Sequence, residues 1–188
     1  MKIGVPKETA SGERRVALVP DALKVTSKFG AEVNIEAGAG VEAGFEDSAY
    51  VDAGASIVDA ATALAADLVL KVQPPSDDEI SQLSSGAVLI SFLKPLDMPE
   101  LAQKLADKGV SAFSMEMMPR ITRAQSMDAL SSQSTISGYR AVLLAASALP
   151  RIFPMLVTAA GTLQPARVLV VGVGVAGLQA LEIGRAHV

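Results

Sequence analysis

Two stretches of this sequence carry residue types and spacings suited to chemistry. The first is Val171-Gly172-Val173-Gly174-Val175-Ala176-Gly177, a G-x-G-x-x-G pattern. It lies directly after the aliphatic run Arg167-Val168-Leu169-Val170-Val171 and before the helix-compatible Leu178-Gln179-Ala180-Leu181. In such a setting Gly172 makes a tight turn and Gly174 lets the backbone approach a pyrophosphate. Gly177 lets the helix pack closely on the strand, and Val175 stands at the helix start, where phosphate charge is attracted. The pattern alone is a weak signal; the strand before it points to a dinucleotide site, with a purely structural turn as the alternative. The second stretch, Met117 to Ser132, is polar and has neither helical nor strand periodicity. A loop of that length is usually functional or mobile. A nicotinamide carboxamide offers one acceptor and two donors. Gln125 matches it in kind, Asp128 can accept from its NH2, and Arg120 can donate to oxygen or to a phosphate. A solvated loop without a ligand is the alternative.

What the chain lacks narrows the chemistry. It has no Cys, and its one His, His187, stands next to the last residue. Disulfide frameworks, Cys-zinc sites and thiol nucleophiles are excluded, a His-based triad cannot be assembled, and no metal site is expected. The 16 basic and 20 acidic residues give a net charge of −4 with no basic patch, which sets nucleic-acid binding aside. Hydrophobic residues make up 50% of the chain and charged ones 19%, a balance that excludes a disordered polymer. The work falls to carboxylates, Lys, Arg, Ser and amides, or to a cofactor.

Three further features have competing readings. Gly38-Ala39-Gly40-Val41-Glu42-Ala43-Gly44 also follows a strand, but its third glycine comes one residue late, and Glu46 and Asp47 would repel phosphate. A plain strand-to-helix turn is expected there. Lys71, at the end of an apolar strand, could meet a substrate carboxylate, snorkel, or pair with an acid; Arg15 leaves the same choice open.

These residues need a frame. Strands are expected at Lys2–Val5, Glu32–Glu36, Ser56–Val58, Asp67–Gln73, Ala87–Phe92 and Val110–Ser114. Runs such as Ala87-Val88-Leu89-Ile90 are continuously apolar, which suits strands covered on both faces. Helix signals lie between them. Pro20 opens a segment with Ala22, Val25 and Phe29 on one face and Gly30 as its stop. Asp77-Asp78-Glu79 begins another, and Asp97 can cap a third in which Leu101 and Leu105 stack and Gly109 ends the helix. The alternation predicts an α/β, doubly wound, mostly parallel sheet of Rossmann or flavodoxin type. A long helix is expected from about Ser134 to Leu149, and the strand at 167–171 then starts a second α/β unit. The expected organisation is an N-terminal α/β domain over 1–133, a connecting helical segment over 134–160, and the beginning of a Rossmann domain over 161–188. The apolar start stops at Pro6, so no signal peptide is expected and a cytoplasmic location is. The apolar stretch 141–160 is broken by Pro150, Arg151 and Pro154 and falls short of the roughly 18–20 residues of a membrane span.

Together these residues resemble a known family, that of the alanine dehydrogenase and nicotinamide nucleotide transhydrogenase N-terminal region. Lys2-Ile3-Gly4-Val5-Pro6-Lys7-Glu8, Arg15-Val16-Ala17-Leu18-Val19-Pro20 and Leu70-Lys71-Val72 are similar in both branches. Pro119-Arg120-Ile121-Thr122-Arg123-Ala124-Gln125-Ser126-Met127-Asp128-Ala129-Leu130-Ser131-Ser132, continuing to Gly138-Tyr139-Arg140-Ala141, resembles the transhydrogenase alpha subunit. Thr158-Ala159-Ala160-Gly161 and the glycine-rich turn also match. The resemblance implies that this loop lies over the nicotinamide of NAD(H), with Arg120, Gln125, Asp128 and Ser131 contacting the cofactor and Gly172, Gly174, Val175 and Gly177 holding its pyrophosphate.

The residue inventory helps to choose a branch. An amino-acid dehydrogenase moves protons as well as hydride and needs a general acid/base. The alanine dehydrogenase branch has a His after the strand equivalent to Ser91-Phe92-Leu93; this chain has Lys94 there. Hydride transfer between two nicotinamides needs only close, oriented rings in a site that excludes water. The resemblance thus implies the NAD(H)-binding component of a proton-translocating transhydrogenase. NADP(H) would be held by a partner subunit, with proton movement through a membrane component, a homodimeric state, and peripheral attachment to the inner membrane. An alanine dehydrogenase-like oxidoreductase and an inactive nucleotide-binding fragment are the alternatives. Leu181 to Val188 does not resemble the family's continuation and is expected to be a truncated end that leaves the fragment inactive by itself.

Overall fold

Six aliphatic runs form strands β1 (Lys2–Val5), β2 (Glu32–Glu36), β3 (Ser56–Val58), β4 (Leu68–Leu70), β5 (Val88–Ser91) and β6 (Ser111–Ser114). The computed structural model describes residues 1–186, so His187 lies outside the described residues. The strands pair in parallel throughout, in the order β3-β2-β1-β4-β5-β6. This is the Rossmann order, in which the direction of winding reverses between β1 and β4. All six expected strands are present. Val69 belongs to one buried cluster, with Leu64, Leu89, Leu101 and Leu105. Its neighbours Leu68 and Leu70 pack against the other, built on Val5, Val33, Ile35 and Tyr50. Successive side chains of a strand point to opposite faces, so both faces of the sheet are covered and the runs read as continuously apolar.

The crossovers are short: α1 (Leu23–Thr26), α2 (Asp47–Asp52), α3 (Ala60–Leu64), α4 (Asp77–Gln82) and α5 (Pro99–Asp107). Two expectations change here. The segment after Pro20 is a single α-turn between two 3-10 turns. Leu23 is its buried residue, whereas Val25 and Phe29 are exposed. A 3.6-residue stripe needs more than one α-turn to persist, and 3-10 turns rotate the side chains onto another period. In α5, Leu101 and Leu105 are buried as expected, but the cap position is Met98 rather than Asp97. Pro99 occupies the first helical positions, and its fixed φ starts the helix without a side-chain cap. In α4, Ser76 and Glu79 close a reciprocal capping box.

The chain divides after Pro119 into two units, the first of which is the sheet just described. The second contains α6 (Ala129–Ala148), an antiparallel pair β7 (Leu156–Thr158) and β8 (Gly161–Leu163), and α7 (Val175–Ala186). Helix α6 begins five residues earlier than the aliphatic pattern suggests, because the Asp128 carboxylate accepts the Ser131 N–H at 2.9 Å and caps it. The strand expected at 167–171 is not formed among the described residues, and Leu169 and Val171 are 88% and 91% exposed. A strand exists only where a neighbour takes up its N–H and C=O groups, and none lies alongside. No helix among the described residues is long and apolar enough to cross a membrane.

Candidate functional site

The glycine-rich turn has the backbone features its spacing suggests. Gly172 has φ +99°, in the left-handed region that favours glycine. A Cβ on Gly177 would come within 2.1 Å of the Gly172 carbonyl oxygen, so no side chain fits between turn and helix. A Cβ on Gly174 would meet no atom within 4 Å, so the space over the turn is open. Helix α7 starts at Val175, and its first amides lack acceptors within the helix. The Leu178 N–H is the first to turn inward, donating to the Gly174 carbonyl at 2.9 Å. Open space above, a close-packed glycine below and amides at a helix start form a cradle that fits a pyrophosphate.

The polar segment is more ordered than a solvated loop. Residues Thr122–Met127 form a 3-10 turn anchored by buried Ala124. The turn closes on Asp128, whose N–H donates to the Gln125 carbonyl at 3.2 Å. Asp128 faces Ser131 with both oxygens, one accepting the Ser131 N–H at 2.9 Å and the other the Ser131 hydroxyl at 2.6 Å. These two bonds, with the Arg120 charge adding to them, hold the carboxyl below the usual aspartate range. Asp128 is therefore an ionised cap at the positive end of α6. Gln125 and Arg120 are exposed, each with its side chain available to a ligand. An apolar groove of about 820 Å³ between the later half of α6 and the β7–β8 hairpin, lined by Val142, Leu149, Phe153 and Leu163, contains none of these residues.

The first unit carries a second polar cluster where the winding of the sheet reverses. Lys71, just past β4, is fully buried, with Nζ 2.7 Å from Glu79 Oε1 and 3.5 Å from Glu8 Oε2. Glu8 also accepts the Val72 N–H at 2.5 Å and the Gln73 N–H at 3.2 Å, and Glu79 accepts the Ser76 N–H at 2.7 Å. Of the three readings of Lys71, pairing with acids is the one observed. Arg15 is bonded to Glu13, which also accepts the Gln73 side-chain amide at 2.7 Å and the backbone N–H groups of Arg14 and Arg15 at 3.1 and 2.9 Å. The Arg15 guanidinium, outweighing partial burial, draws the Glu13 carboxyl down to about 2. The Gly38 turn is closed by Asp47, which accepts the Gly38 N–H at 2.9 Å, as a plain structural turn would be.

Lys94 has φ +50° and sits in a clamp. Its N–H and that of Leu93 donate to the Glu116 carboxylate, which also accepts the Ser114 hydroxyl at 2.5 Å. Burial works to raise the Glu116 pKa, but these donors outweigh it and keep the carboxyl lowered. Sequence reasoning missed Glu8, Glu79 and Glu116 as partners. One signal pointed to the first two, since a lysine at the end of a buried strand requires an acid; none pointed to Glu116, whose donors are two backbone N–H groups and a serine hydroxyl.

The sequence model of the alanine dehydrogenase/PNT N-terminal domain matches residues 4–137, and that of the C-terminal domain matches 141–186. The second match takes in 181–186, so the expectation that the residues after Ala180 do not resemble the family is corrected for those six. The NAD(P) transhydrogenase subunit alpha of Cereibacter sphaeroides is 50% identical over 183 residues, covering 96% of this chain and 35% of that protein. The chain thus spans about a third of the length of this relative. The crystal structure of transhydrogenase from Sinorhizobium meliloti superposes with a TM-score of 0.97 at 45% identity, covering 99% of this chain and 56% of that one. An L-alanine dehydrogenase structure gives 0.87 at 30% identity, over 99% of this chain and 52% of that one. The chain belongs to the alanine dehydrogenase/PNT family.

Proposed function

We propose that this chain is part of the NAD(H)-binding component of a transhydrogenase, passing hydride from NADH to NADP+ held on a partner subunit, with proton movement through a membrane component. When bound, the reduced nicotinamide supplies the hydride; every other task falls to the protein. The observation that carries the reading is the joining of two features by one helix. The Gln125 turn runs into the Asp128 cap of α6, and α6 packs against α7, which opens from the glycine-rich turn.

The division of labour follows from the groups present. The amides at Val175 and its neighbours, with the open turn at Gly172 and Gly174, bind the pyrophosphate, and Gly177 keeps the helix close enough for them to do so. Gln125 presents an acceptor and two donors to the nicotinamide carboxamide, and Arg120 donates to its oxygen or to a phosphate. Asp128 and Ser131 bond mainly to each other and hold the loop in place. No group in this arrangement has to accept or release a proton, which suits direct hydride transfer. Two copies of the chain and peripheral attachment to the inner membrane belong to the same proposal. Alanine oxidation is less well served, because the Lys71 and Arg15 cations are each bonded to a carboxylate already. In the full chain, Gln125→Asn should slow single-turnover hydride transfer to an NADP analogue on the partner by about 10²-fold, the scale of a 1 Å misplacement. NADH binding should stay nearly intact. Transfer at the wild-type rate would remove Gln125 from its assigned role, and NADH oxidation that needs pyruvate and ammonia but no partner would favour the dehydrogenase reading.

A further inference from the structure

Within α6, one residue has no room for a side chain. A Cβ built on Gly138 would lie 2.2 Å from the carbonyl oxygen of Ala176 and 3.0 Å from its Cα. Ala176 is the second residue of α7 and the fifth of the glycine-rich turn. The contact is backbone to backbone, so no rotamer of either residue relieves it. Gly138 is also one of two buried residues of α6. A glycine within a 20-residue helix costs about 1 kcal/mol relative to Ala, so its presence calls for a compensating reason. The close approach to α7 is that reason.

We propose that Gly138 is a positioning residue that sets the spacing between the two halves of the cofactor site, with α6 as the strut between them. This rests on the functional reading above. Toward its N-terminus α6 carries Ser131, bonded to Asp128, and through Asp128 the Gln125 turn. Seven residues later it bears on the carbonyl of Ala176. Seven residues of α-helix span about 10 Å, so the strut is short and stiff. The nicotinamide-side loop is thereby referenced to the pyrophosphate cradle through one helix and one backbone contact. Carbon contacts are optimal at about 3.5–4.0 Å, so adding a methyl group at Gly138 must part α6 from α7 by about 1 Å. Displacements of that size cost up to about 10²-fold in rate when they separate reacting groups.

The test uses the full chain with its partner. Gly138→Ala should lower single-turnover hydride transfer at saturating NADH by about 10–100-fold. The ratio of NADH affinity to ADP-ribose affinity should fall as well, because ADP-ribose reads only the pyrophosphate half. Ser137→Ala, at an exposed neighbouring position, should change neither. A merely structural role would scale both affinities equally and leave transfer per bound NADH unchanged; that result overturns the proposal. Should Gly138→Ala not fold, hydrogen exchange on the wild type decides. ADP-ribose should slow amide exchange both at 172–177 and at 129–133, although it has no nicotinamide. Protection confined to 172–177 overturns the strut. A wild-type protein that binds no NADH defeats the functional reading itself, an outcome distinct from either of these.

Discussion

Replacing Lys71 with Met tests whether the buried cluster is a closed electrostatic unit. Met fills much of the lysine's volume but removes the ammonium group. Glu79, 2.7 Å away, and Glu8, 3.5 Å away, then share a buried site without a counter-charge. Breaking a buried pair by removing one partner costs about 3–5 kcal/mol. Here the lower end applies, because Glu8 keeps two backbone N–H donors and Glu79 keeps the Ser76 N–H. With about 3 kcal/mol lost and a urea slope of about 2 kcal/mol/M, the unfolding midpoint should fall by about 1.5 M. The chain has no Trp, so far-UV circular dichroism at pH 7 is the suitable probe. Combining Lys71→Met with Glu79→Gln completes a double-mutant cycle. The double variant should lose about 1–2 kcal/mol less than the two single variants added together, as expected for groups in direct contact. A midpoint shift below about 0.3 M, or strict additivity in the cycle, would refute the closed unit and indicate a lysine that reaches water.

Two further outcomes follow from the site geometry. Glu13 titrates near 2 when folded and near 4.5 when unfolded. A depressed carboxyl stabilises the fold above its unfolded pKa and loses that effect as pH falls toward its folded one. The difference in urea midpoint between wild type and Arg15→Ala should therefore be flat above about pH 5 and shrink between 4.5 and 2; a difference that stays flat to pH 2 would contradict the pairing. Asp128→Ala should fray the first turn of α6, read as faster amide exchange at 130–133, and should lower hydride transfer more than it weakens NADH binding. Unaltered exchange there would show that the cap does not hold the loop.

The sheet was legible because parallel strands buried on both faces leave long aliphatic runs, and all six fall where those runs stand. The glycine spacing likewise announced a turn whose Gly172 dihedral and Gly177 contact the structure displays. Helix starts were less legible. Asp97 and Asp128 are both plausible caps by type, yet only Asp128 caps, since Pro99 sets the start of α5 by itself. The partners of Lys71 were hidden for another reason. Glu8 lies 63 positions away and is brought in only by the pairing of β1 with β4. Gly138 looked like any glycine in a small-residue helix, and only the position of Ala176 shows why it is there.

The segment Val168-Leu169-Val170-Val171 has a consequence for the life of the chain before it is fully assembled. It is β-prone, uncharged and paired with no strand among the described residues, the composition of a template for intermolecular pairing. Its flanks are not neutral. Pro165 and Arg167 precede it, and Gly172 and Gly174 follow, all residues that interrupt ribbon growth. The same glycines that leave the turn open at Gly174 and left-handed at Gly172 therefore also act as gatekeepers, shortening the sticky stretch to four residues while the chain is being made.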